Sequence, residues 1–98
     1  MPDKNLEPDA QRIRLEQHLN TERAKRDQLE QALSEFQHTG RRISDRLERL
    51  GGRGADLEQQ RSLLAENLKL TQIELEKTET RINKIRRELS KLAADQQS

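Results

Sequence analysis

Apolar side chains recur along this chain at alternating spacings of four and three residues. In the first half Leu15, Leu19, Leu29, Leu33, Phe36, Ile43, Leu47 and Leu50 fall on that grid, with Glu22, Arg26 and Gly40 at the intervening places. In the second half Leu57, Leu64, Leu68, Leu75, Ile82, Ile85, Leu89 and Leu92 continue it, with Arg61, Thr71 and Thr78 interposed. Side chains three and four apart stand above one another on an α-helix, so each set makes a single face. Sustained over many heptads, such a face is the seam of a coiled coil, whose a and d positions are buried against a partner helix.

Punctuation divides the pattern in two. Residues 1–7 carry no periodicity and are expected to fray, and Pro8 followed by Asp9 suits a first helical turn. Gly51-Gly52-Arg53-Gly54 interrupts the middle: Gly51 stands where a C′ glycine stops a helix, with Arg46 and Arg49 in the turn before it. Asp56 then offers an N-cap, with Gln59 three residues on to complete a capping box. The pattern predicts helix over 8–50, a glycine turn over 51–55 and helix over 56–96, together a single hairpin domain. A continuous helix competes, since the heptad phase passes through the glycines without a slip. It would place three glycines in helix, at about 1 kcal/mol each.

Charges beside the seam favour folding back. In a parallel, in-register dimer Lys25 meets Glu30, but Glu74 meets Glu79 and Arg81 meets Arg86. Folding about residue 52 brings together positions whose numbers add to 104: Leu47 with Leu57, Phe36 with Leu68, Leu29 with Leu75, Leu19 with Ile85 and Leu15 with Leu89. Arg23 then lies beside Glu79, Glu16 beside Arg86 and His18 beside Glu88, with Lys25 against Arg81 as the one repulsive pair. A slip of one heptad sets Glu30 against Glu79 and Arg23 against Arg86. The expected fold is therefore all-α, an antiparallel two-helix coiled-coil hairpin. Two helices cover each other's seam only partly, which favours dimerisation into a four-helix assembly.

Composition agrees and narrows the class. Fifteen Leu and five Ile sit among Glu, Gln, Lys and Arg, without Val, Trp, Tyr or Cys, the make-up of long helices rather than sheets. Nineteen basic and eighteen acidic residues leave a net +1, too small a field to steer the chain to nucleic acid or an anionic membrane. Without cysteine there is neither a disulfide frame nor a cysteine-containing zinc site. No apolar run is long enough to span a bilayer, and the N-terminal residues lack the apolar core of a secretory signal, so the expected location is cytoplasmic.

Chemistry-bearing residues are sparse and scattered. Glu35-Phe36-Gln37-His38 holds one Glu-x-x-His, but di-iron bundles need that motif twice and pointing inward, whereas His38 falls at an outward position. His18 and Glu22, four apart, make at most a two-ligand site. No phosphate-binding loop, nucleophile elbow or serine–histidine arrangement occurs, so the expectation is no enzyme, no metal and no cofactor. Glu22 and Arg26 occupy seam positions and are expected to pair with each other, either locking register or letting their heads snorkel outward. Off the seam, Leu63, Leu70 and Ile73 form a possible partner surface, the alternative being ordinary scattered surface apolars. Arg42, Arg46, Arg49 and Arg53, with Arg41, gather positive charge at the turn, where they either complement the helix dipole or touch phosphate or an acidic partner. No aromatic residues interleave there for base stacking, which disfavours nucleic acid.

The stretch from Arg46 to Leu57 is similar to the hairpin tip of membrane fusion (periplasmic adaptor) proteins of efflux pumps. That tip carries an Arg, a Leu four residues on and a Ser seven after that. Arg46 and Leu50 match the first two, and Leu57 stands where the Ser belongs. The lipoyl and β-barrel domains that flank such hairpins are not among the 98 residues. In shape alone the expected hairpin is also similar to the tRNA-binding helical arm of seryl-tRNA synthetases. The sequence thus points to a non-enzymatic structural or adaptor protein that associates with itself, as a homodimer or higher, and with another protein. A nucleic-acid-contacting arm that uses the arginine-rich turn is the alternative, together with an efflux-adaptor-like tip.

Overall fold

The computed structural model describes residues 8–51 and 53–97. The expectation of a frayed segment over residues 1–7 lies outside the described residues, as do Gly52 in the turn and Ser98. The described chain is all-helical, with α1 over Pro8–Leu50 and α2 over Ala55–Gln97, each 43 residues. Both are rich in Leu, Glu, Gln, Lys, Arg and Ala, which lose little rotamer freedom in a helix, and α1's one proline occupies its first position. Many contacts run between α1 and α2, as in a helical hairpin. No helix among the described residues is long and apolar enough to cross a membrane.

The turn shows why α1 stops. Gly51 adopts φ +57°, the left-handed conformation that costs a residue with a Cβ about 1–2 kcal/mol. The Arg53 N–H donates to the Leu50 carbonyl at 3.2 Å and closes the turn. The start of α2 differs from the sequence expectation. The Glu58 N–H donates to the Gly54 carbonyl at 2.8 Å, so Gly54 is the cap and Asp56 lies inside the first turn with Glu58. Asp56 acts there as a charge near the positive end of the helix dipole, not as a capping acceptor.

Contacts divide the described residues into two compact units, one drawn from residues 8–26 and 77–97 and the other from 27–76. In the first unit Leu19, Ile82 and Ile85 form a buried cluster, with Leu15 and Leu89 packed against it. Leu19 with Ile85 and Leu15 with Leu89 are pairings that the 104 register requires. The second unit holds the turn. Ile43 and Leu47 are buried in it, while Leu29, Leu33, Phe36, Leu57, Leu64, Leu68 and Leu75 are half-buried. A Cβ built on Gly40 would lie 3.4 Å from Leu64 Cδ2, the partner that the same register assigns. Each fully buried aliphatic side chain contributes about 1.5–3 kcal/mol relative to its exposed state.

Two seam expectations fail for local reasons. Leu50 is 44% exposed; its counterpart in the 104 register is Gly54, which has no side chain to cover it. Arg61 is also exposed and turns its guanidinium outward to Glu58, 3.8 Å away, rather than lying in the seam. A long cationic side chain gains more from solvent and a carboxylate than from an apolar face.

Candidate interaction site

A strongly organised polar cluster lies in the first unit. Glu22 is buried on α1, and Arg81 reaches it from α2 with Nε donating to Oε1 at 2.7 Å. Arg81 Nη2 also donates to Thr78 Oγ1 at 3.1 Å, and Thr78 is wholly buried. His18 Nε2 lies 3.8 Å from the other Glu22 oxygen. The hydrogen bond from Arg81 holds the Glu22 carboxyl below its ordinary value of 4.5; burial opposes this, and the charges of Arg81, Lys25 and His18 assist it.

Sequence reasoning paired Glu22 with Arg26 on its own helix and missed this cross-helix partner. It set Arg81 against Lys25 as the repulsive flanking pair. The side chain instead turns inward to the carboxylate, relieving that repulsion while supplying the charge that a buried Glu22 requires. The signal was present, because Glu22 and Arg81 differ by only one residue from the 104 register. The cluster is an interhelical tie between α1 and α2.

The residues proposed for partner contact are all on the surface. Leu63 is 61% exposed, Leu70 54% and Ile73 39%, and all three belong to α2 in the second unit. Arg42, Arg46, Arg49 and Arg53 are exposed in the same unit. Arg46 and Arg49 line a shallow apolar depression of about 370 Å³ with Leu50 and Leu57. Farther from the turn, the absent side chain of Gly40 leaves an open groove of about 580 Å³, bordered by Arg41, Ser44, Arg61, Leu64 and Leu68. In contrast, the fifteen apolar seam residues other than Leu50, from Leu15 to Leu92, are all buried or half-buried, with Ile82 and Ile85 nearly inaccessible.

The residues weighed for chemistry remain apart. Glu35 accepts a hydrogen bond from Gln31 on an exposed face at 3.5 Å, and His38 is exposed beside it. Ser34, Ser44, Ser62 and Ser90 are exposed on helical surface. Among the described residues, no group of three or more His, Cys, Asp or Glu side chains gathers to hold a metal ion. No family model, curated protein or solved structure matches the chain.

Proposed function

We propose that this chain is a non-enzymatic coiled-coil hairpin serving as a structural or adaptor module, which joins copies of itself and engages another protein through helical surface. The observation that carries this reading is the sorting of large apolar side chains. Leu19, Ile43, Leu47, Ile82 and Ile85 are buried between the helices, while Ile13, Leu50, Leu63, Leu70 and Ile73 stand more than a third exposed. A chain with as many large aliphatic side chains facing water as it buries gains from association, which removes apolar area from solvent at roughly 25 cal/mol per Å². Three of the five exposed ones share α2 in one unit, which supports a common surface.

Sedimentation over a wide range of concentrations tests the reading. Mass that rises with concentration toward a dimer or tetramer is the expected result, and a monomer throughout contradicts self-association. The exposed Arg42, Arg46, Arg49 and Arg53 support a second reading, contact with nucleic acid at the turn. Phosphate contacts release counterions, so a steep loss of affinity with rising salt would favour this alternative, and a flat or absent response would count against it.

A further inference from the structure

We propose that the Glu22–Arg81 pair, with Thr78, is a register lock in the first unit: it admits one alignment of α1 on α2 and rejects those one heptad away. The lock acts within a single chain and does not depend on self-association. Counting by sevens along α2, the places equivalent to Arg81 are held by Gln60, Asn67, Glu74, Glu88 and Asp95. Arg81 is the one cation of that column. Residues seven apart share a helix face, so a slip of one heptad would bring a neighbour in the column to the place of Arg81. One slip would offer Glu22 the carboxylate of Glu88, and the opposite slip that of Glu74.

The apolar seam is less selective. A slip toward Glu88 would still set Leu19 against Leu92 and Phe36 against Leu75, large aliphatic and aromatic side chains as before. Burial is what makes the charge decide. Glu22 is 9% exposed and Thr78 is wholly buried, and Arg81 donates to both, at 2.7 Å and 3.1 Å. A buried carboxylate that loses its cation is strongly destabilising, and one set against a second carboxylate more so. Lys25 pulls the other way, because it lies beside Arg81 in the 104 register and would gain a glutamate in either slip. Lys25 is exposed, and an exposed pair is weak beside a buried one.

Moving the cation along its column tests this. Arg81→Glu with Glu88→Arg keeps the net charge and shifts the cation by one heptad. Register is read by disulfide trapping in dilute solution, since the chain has no cysteine of its own. Glu16→Cys is combined in turn with Arg86→Cys, Ala93→Cys or Glu79→Cys, all at exposed positions. These pairs report the 104 register, the slip toward Glu88 and the slip toward Glu74. The original chain should trap 16–86 predominantly. The exchanged chain should trap 16–93 about tenfold more, relative to 16–86, and leave 16–79 low. Arg81→Glu alone should favour neither slip, and circular dichroism should show helix retained throughout. An exchanged chain that traps 16–86 as the original does would overturn the lock. So would an equal rise of 16–93 with Arg81→Glu alone. An exchanged chain that loses its helix would also overturn it, by showing a pair that the fold needs but that does not choose the register.

Discussion

A methyl group added at Gly40 and one added at Gly54 have opposite expected consequences. Gly40 lies inside α1, and its Cβ would meet Leu64 Cδ2 at 3.4 Å, an ordinary contact on the edge of an open groove. Gly40→Ala should therefore raise stability by about 1 kcal/mol, the helix-propensity difference, in urea unfolding. At Gly54 the added Cβ would come within 2.6 Å of Leu47 Cδ2, and Leu47 is buried. Gly54→Ala should cost about 1–3 kcal/mol in the same measurement, as overpacking does. Glu22 supplies a pH-dependent contribution. Its folded carboxyl titrates below the ordinary value of 4.5, so the folded chain binds that proton less readily than the unfolded chain. The contribution is fully present above about pH 4.5 and is lost as pH falls through the lowered folded value. Glu22→Gln should cost about 1 kcal/mol at pH 7, a figure kept small because the Arg81 side chain is 39% exposed, and the cost should shrink as pH falls below 4.5.

At the scale of elements, the helices were legible because their apolar spacing, their stop and their start agreed. The left-handed Gly51 is the signal read correctly as a stop. The cap of α2 was misread because capping preference favours Asp over Gly, whereas packing decides here: any Cβ at Gly54 collides with Leu47. It follows that Gly54→Ser, which improves the cap on propensity alone, should lower the thermal midpoint rather than raise it. Leu50 and Arg61 show the same limit. Their seam positions were evident, but their exposure depends on what stands opposite and on where a long side chain finds a carboxylate. Arg81 illustrates it most sharply, since its sequence position implied repulsion from Lys25 while its reach allowed a bond to Glu22.

For the molecule as a whole, the inner seam could be read from spacing alone, and the outer residues Leu63, Leu70 and Ile73 were recognisable as misfits to it. In the hairpin a single chain reverses after Gly51 and packs α2 against α1. Replacing Gly51 and Gly54 with alanine should shift the balance toward continuous helix, since the heptad phase already runs through the turn. The fold-back itself is measured most directly by spin labels at Arg12 and Gln96, two residues that border one groove in the first unit. With labelled chains diluted into an excess of unlabelled ones, the hairpin gives an intrachain distance within about 30 Å, set by adjacent helices and the label arms. A continuous helix at about 1.5 Å per residue would separate the same labels by roughly 130 Å. That longer distance, or no intrachain coupling at all, would contradict the hairpin.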